Sequence, residues 1–382
     1  MKNKKRADVL TDEEYIELFN QSGTIQEKLQ FFSKIQDYTS QIELLESIPS
    51  NEKHKFIGKI KSPNGIDIAL NSLESETSKT KTFNFVVKQM KGNSKMLLDI
   101  LQGIDFKVTL PENMLLLKIN NLNDIDIDKM IKIKDNVENS SQIQFKVNEN
   151  ESEDVIYTFA ELSAITAKIT ELTAGIPDEL SQSDKFYTIY TRIINNITYD
   201  NKPIYETRKQ DTLLQEKLSG GYLSRPERRE IVKDYKDKVK EIRRDCAGMY
   251  GGLIEGKAIC IGYATILHEA LKKVGLKSMI ITGTSIEDIR QYKSIISGHA
   301  WNQVQIDGKW YNADSTSDAS TCQRTGNICC MLRADNHFNP HAEYTRDTEN
   351  AHVCKEDYPF EREHFMNIFN RNRWWRGLGG GR

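Results

Sequence analysis

The sequence predicts an α+β fold: a helix bearing a nucleophilic cysteine packed on an antiparallel sheet, preceded by an N-terminal strand-rich accessory domain. Three observations carry this expectation. A helical stripe of apolar residues follows Cys260, an Asp307-Gly308 pair joins two strand-like runs, and short β-like runs separated by polar links fill the stretch from 54 to about 150.

At 382 residues the chain is long enough for one large core or two ordinary ones. A hydrophobic content of 38% is enough for a globular protein, and a formal net charge of -2 argues against a nucleic-acid partner. No run is apolar enough to span a bilayer. The basic start, Met1 to Arg6, leads into Asp12-Glu13-Glu14 and not into a signal-peptide core, so a cytoplasmic protein is expected. Six cysteines are too few for a disulfide scaffold, and all of them lie beyond residue 245.

Residues 1–50 read as helical, with a stop at Pro49. Beyond them Phe56–Ile60, Phe83–Val87 and Ile143–Val147 read as strands. Residues 1–150 thus form an accessory domain of unknown role, without a chemical motif. Helical periodicity returns at Thr158–Leu172, is broken at Gly175-Ile176-Pro177, and resumes at Phe186–Ile197. Residues 205–247 are a charged insert in which Arg228–Arg244 reads as an exposed amphipathic helix. The catalytic unit is placed at 155–365. Residues 366–382, with Trp374-Trp375 and the terminal glycines, read as a flexible tail.

After Cys260, apolar residues fall at Ile261, Ala264, Leu267, Leu271 and Val274, and Gly275 is placed to end the helix. Cys260 then sits in the first turn, where unpaired N–H groups favour a thiolate and are placed to hold an oxyanion. Gly256 and Gly262 leave room for a substrate backbone to approach. On its own such a cysteine reads first as a buried structural one.

The hairpin decides against that reading. With Asp307-Gly308 as a two-residue loop, Ile306 opposes Lys309, Trp301 opposes Asp314, and His299 is the diagonal neighbour of Asp314 on one face. Ala300, Val304, Ile306, Tyr311 and Ala313 form the apolar face, which leaves the His–Asp face toward a cleft, with Trp310 and Asn312 placed to shield or orient the pair. A thiol needs a base, and the base needs a carboxylate to hold its ring. Cys260, His299 and Asp314 supply one of each.

The segments Gly256–Gly275, Gly298-His299-Ala300-Trp301-Asn302 and Asp307–Asp314 together resemble the papain-like core of transglutaminase-like proteins. The resemblance covers roughly 160–365, with the sharp motifs in 256–316. It implies Cys260 as nucleophile, His299 as base and Asp314 as the orienting carboxylate, and Ile197-Thr198-Tyr199-Asp200 resembles the opening of such domains. The insert at 205–247 departs from compact members and reads as a lid or recognition element.

The implied chemistry is acyl transfer on a peptide or glutamine amide of a protein substrate, without a cofactor. Hydrolysis is favoured over crosslinking because the short hairpin resembles bacterial proteases of this group, and no acidic calcium loop is present. A crosslinking transglutaminase and a non-catalytic binding module on the same fold are the alternatives. Tyr250 and Gln303 are the candidates for a side-chain oxyanion donor. Cys322, Cys329, Cys330 and Cys354 lie near His337, His341 and His352. Their spacing is poor for one tetrahedral zinc site, so separate reduced cysteines are favoured over a disulfide or a metal.

Overall fold

A computed structural model of the chain describes residues 10–90, 93–119, 127–148, 154–287, 295–325, 327–338, 342–347 and 351–372. The chain divides into two compact units, Met1–Ile119 with Asp128–Lys146, and Asn120–Ile127 with Val147–Arg382.

The first unit is built mainly of helices, which corrects the strand-rich expectation. Its helices are α1 (Asp12–Gln21), α2 (Ile25–Phe32), α3 (Tyr38–Ser47), α4 (Ser50–Ile57), α5 (Pro63–Asn71), α6 (Glu76–Gln89), α7 (Ser94–Gly103) and α8 (Ile127–Asn136). Two strands, β1 (Leu116–Ile119) and β2 (Gln144–Asn148), lie side by side. Of the three runs read as strands, only Ile143–Val147 lies largely in one. Phe56-Ile57 closes α4, and Phe83–Val87 lies inside α6.

The reason is local. Thr11 with Glu14 and Thr24 with Glu27 form capping boxes, and Ser62 caps α5 with Pro63 following. In α6, Thr82, Phe83, Val86 and Val87 are buried, a helical spacing that a short apolar run conceals. The Phe19, Phe32 and Phe56 rings meet at 5.5 to 6.4 Å and form part of the core.

The second unit begins with β3 (Asp154–Thr158), α9 (Phe159–Thr173), α10 (Gln182–Asn196) and β4 (Thr198–Tyr199). The charged insert forms α11 (Lys202–Ser219) and α12 (Arg225–Ala247), packed against each other. Then follow β5 (Lys257–Ala258), α13 (Cys260–Lys273), β6 (Ser278–Glu287), β7 (Ile295–Ile306), β8 (Lys309–Ala313), α14 (Ser315–Thr325), β9 (Ala342–Arg346) and α15 (Arg362–Asn372). Four strands form an antiparallel sheet in the order β8-β7-β6-β9, and α13 packs on β6 and β7.

This is the expected α+β arrangement of helices on an antiparallel sheet. Ile306 pairs with Lys309, Val304 with Tyr311 and Asn302 with Ala313, the register read from the sequence. Asp307 (φ 50°) and Gly308 (φ 82°) both take positive φ, as a two-residue loop that follows the twist of its strands requires.

The expected tail at 366–382 begins too early, because residues 366–372 continue α15, where Ile368, Phe369 and Asn372 are buried. Residues 373–382, including Trp374 and Trp375, lie outside the described residues. Among the described residues no helix is long and apolar enough to cross a membrane.

Candidate active site

Cys260 is the first residue of α13 and is partly exposed. The helix starts here because β5 ends in a bond from the Ile259 N–H to the Cys246 carbonyl (3.0 Å), and the first turn closes from the Tyr263 N–H to the Ile259 carbonyl (3.1 Å). The N-cap residue is Ile259, which makes no side-chain cap bond. The amides of the first turn are therefore left without a capping side chain. Gly275 (φ 80°) ends this segment as expected.

Gly262 serves a different purpose from the expected one. A Cβ there would meet the Cys246 carbonyl oxygen at 2.7 Å, so the space it leaves is taken by the chain's own backbone and not by a substrate.

The two feet of the charged insert meet the chain just ahead of the sulfur. The Asp200 N–H donates to the Ala258 carbonyl (3.0 Å) on one side, and the Cys246 carbonyl takes Ile259 on the other.

His299 reaches the site from β7. Its Nε2 lies 2.8 Å from Asp314 Oδ2, and its side chain is 13% exposed. Cys260 is also close enough to the imidazole to act on its charge, in the direction that favours the protonated ring. With Nε2 given to Asp314, Nδ1 is the nitrogen left for the thiol. Burial alone pushes the imidazole down. The Asp314 charge and hydrogen bond, together with Cys260, outweigh it and raise the ring to about 10.

Asp314 is fully buried between β8 and α14. Its Oδ1 accepts the Thr316 and Ser317 N–H groups (3.0 and 3.1 Å), and its Oδ2 accepts the Ser317 hydroxyl (2.7 Å) besides His299. Burial opposes the charge, but His299 and Ser317 prevail and hold the carboxyl below its ordinary range. The Asp-Ser-Thr-Ser run at 314–317 is the helix-start signal that the sequence reading passed over.

The sheet face carrying His299 is mostly closed, which corrects the expectation of an open cleft there. Trp301 is 1% exposed, and Gln303 and Asn312 are fully buried. Residues of the described segments 327–338 and 351–358 cover this face. Trp301 clusters with Ile281, Cys330 and Phe338, while Asn312 pairs its backbone with Arg333 and donates to Asp335 (2.8 Å).

Neither Trp310 nor Asn312 takes the orienting place expected of it: Trp310 stacks on His352, and Asn312 is held by the cover. Trp301 stacks on His299 instead, with ring centroids 6.0 Å apart. Its position two residues from His299 was the available signal. Gln303 is committed to the backbone of His352 and to Cys354, away from any oxyanion role. Tyr250 borders the π-helical turn Gly251–Glu255, with no hydrogen bond tying it to Cys260.

Among the described residues the cysteine-histidine group does not assemble into one set of ligands. Among the described residues Asp318, Cys329 and Cys330 bring ligand atoms within 4.8 Å of one another, without a histidine. Both Asp318 oxygens there already accept protein hydrogen bonds. Cys354 bonds to Gln303, and His337 faces Asp357. His341 and the Cys322 side chain lie outside the described residues.

The arrangement supplies a thiol at a helix N-terminus, an imidazole beside it and a buried, ionised carboxylate behind the imidazole. Residues 234–315 match the model of the Transglutaminase-like superfamily. One solved structure, described as the crystal structure of a TGase, is similar at 17% identity over 55% of this chain and 45% of that one, with a TM-score of 0.27. This chain thus spans less than half the length of that protein. No curated protein matches.

Proposed function

We propose that the transglutaminase-like domain performs acyl transfer through Cys260, His299 and Asp314, hydrolysing peptide or side-chain amides of a protein substrate. The observation that carries this is the 2.8 Å bond that ties His299 to the buried Asp314 carboxylate, with Cys260 at the start of α13 acting on the same ring. The Cys260 sulfur attacks the amide carbonyl, and the first-turn amides of α13 face the developing oxyanion. His299 gives its Nδ1 proton to the departing amine. A thioester remains on Cys260. Water, deprotonated by His299, attacks it and frees the acid and the thiol. Asp314 stays ionised and fixes the ring through Nε2–H.

The chemistry is assigned to residues 155–365, and residues 1–150, which contain no cysteine, serve as an accessory domain. A reactive thiol of this kind suits the reducing cytoplasm.

The test is a panel of unfolded proteins and glutamine peptides incubated with the full chain, with and without a fluorescent primary amine. Hydrolysis predicts new amine termini or released ammonia, abolished in Cys260→Ala. Stable incorporation of the amine would make the protein a crosslinking transglutaminase. No covalent adduct on Cys260, and no turnover on any member of the panel, would leave a binding module and defeat the proposal.

A further inference from the structure

We infer that Asp318 is a positioning residue for the Asp314 carboxylate, acting through the Cys329–Cys330 turn. This rests on the acyl-transfer reading of Cys260.

Asp318 follows Asp314 by one turn of α14, and both side chains are fully buried. Burying two carboxylates so close together costs desolvation of each and repulsion between them. Asp318 remains because three donors converge on it. Tyr190, itself fully buried on α10, donates its hydroxyl to Oδ2 at 2.7 Å. The N–H groups of Cys329 and Cys330 reach Oδ1 at 2.7 and 2.9 Å. Burial pushes this carboxyl up to about 6, against the pull of these donors.

The same turn holds Asp314 from the other side. The Cys330 carbonyl accepts the Asp314 N–H at 3.0 Å. Three residues on, Arg333 exchanges both backbone bonds with Asn312 of β8, at 2.8 and 2.9 Å. Residues 329–333 thus form a strap pinned at one end by Asp318 and at the other by β8, and the Asp314 backbone hangs from its middle. The Asp314 carboxylate reaches His299 only from that fixed backbone position. Asp318 makes none of its hydrogen bonds to His299 or Cys260, so beyond the direct repulsion between the two carboxylates its influence travels through the strap.

A carboxylate accepts from all three donors at once, whereas an asparagine can keep its Oδ1 on the two N–H groups only by donating its NH2 to the Tyr190 oxygen, whose hydroxyl must then reverse.

The experiment is the second-order rate of Cys260 alkylation by iodoacetamide as a function of pH, with the labelled residue mapped and the thermal midpoint recorded. It compares wild type, His299→Ala, Asp318→Asn and Tyr190→Phe. Asp318→Asn is expected to slow alkylation about tenfold at neutral pH and to move the alkaline limb, set by His299, to lower pH. Tyr190→Phe, which removes one donor of three, is expected to move both in the same direction by less.

A lowered thermal midpoint with an unshifted pH profile would mean that Asp318 is merely structural, and would overturn the inference. If Asp318→Asn fails to fold, Tyr190→Phe decides on the same criterion. Equal rates for wild type and His299→Ala would overturn the acyl-transfer reading itself. That result is distinct from a His299-dependent thiol indifferent to Asp318.

Discussion

Both units bury aspartates, and Asp67 of the first and Asp314 of the second have opposite fates. In the first unit Asp67, on α5, is 9% exposed; its Oδ1 makes no hydrogen bond, and burial, then the charge of Asp99, pushes it up to about 8. In the second unit Asp314 is more deeply buried, yet it is held below the ordinary carboxylate range by His299 and Ser317. Burial alone drives a carboxyl toward its neutral form, and only converging donors keep it charged. A buried carboxylate that a fold keeps ionised is therefore a better marker of chemistry than burial itself.

The strongest way to break this contrast is to make Asp314 resemble Asp67 by removing its charge. Asp314→Asn is expected to lower turnover, or Cys260 alkylation, by about 10³ to 10⁴, because the ring loses its orientation and its counter-charge together. The pH profile should change as well. In wild type the imidazolium persists until pH rises through about 10. Without Asp314, burial pulls the ring down and the alkaline limb should fall by several units.

Stability should follow the same sign. The folded pKa of His299 is raised above its unfolded value near 6.5, so its contribution is complete below about 6.5 and is lost as pH rises toward 10. The lowered pKa of Asp314 gives a contribution present above about 4 and lost in more acid solution. Denaturant titrations of wild type and Asp314→Asn should therefore differ most between about pH 4 and 6.5. A constant difference across pH would show that the pair is not ionised.

The contrast is sharpened from the other side by Asp67→Asn. The raised pKa of Asp67 means that the folded state binds the proton more tightly, so wild type loses stability as pH rises from about 4 to about 8. The amide should remove that loss. The variant is expected to be more stable above pH 8 by on the order of 1 to 3 kcal/mol, and to match wild type in acid. Cys260 alkylation should be unchanged. Destabilisation at all pH values would mean that Asp67 has a partner its carboxylate needs.

What could be read from the sequence divides along similar lines. The hairpin was legible because Asp307-Gly308 fixes a loop length and strands repeat every two residues, so the diagonal placement of His299 and Asp314 followed from counting. The start of α13 was legible from its apolar stripe. The first unit was misread because runs of four or five apolar residues fit a strand or one helical turn equally well, while its capping boxes were present but went unweighted. The cover over the His299 face was not legible at all. Its bonds, Gln303 with His352 and Asn312 with Arg333 and Asp335, join residues 21 to 49 positions apart and leave no local period. Asp318 was hidden in the same way, since its partners lie on α10 and on the strap.

The smallest expected effect tests how many donors Asp314 needs. Ser317 gives it two, the hydroxyl to Oδ2 at 2.7 Å and the N–H to Oδ1 at 3.1 Å. Ser317→Ala removes only the first and leaves the helix start intact. Its loss should cost about 1 kcal/mol of stability, the usual net value of one such bond. The carboxyl, deprived of one donor, should be protonated at a somewhat higher pH, and the acid limb of Cys260 alkylation should rise with it. At neutral pH the rate should stay within about threefold of wild type, since the bonds from the Thr316 and Ser317 N–H groups and the bond to His299 remain. A collapse of the rate comparable to that of Asp314→Asn would mean that Ser317, and not the charge of the carboxylate, holds the ring in place.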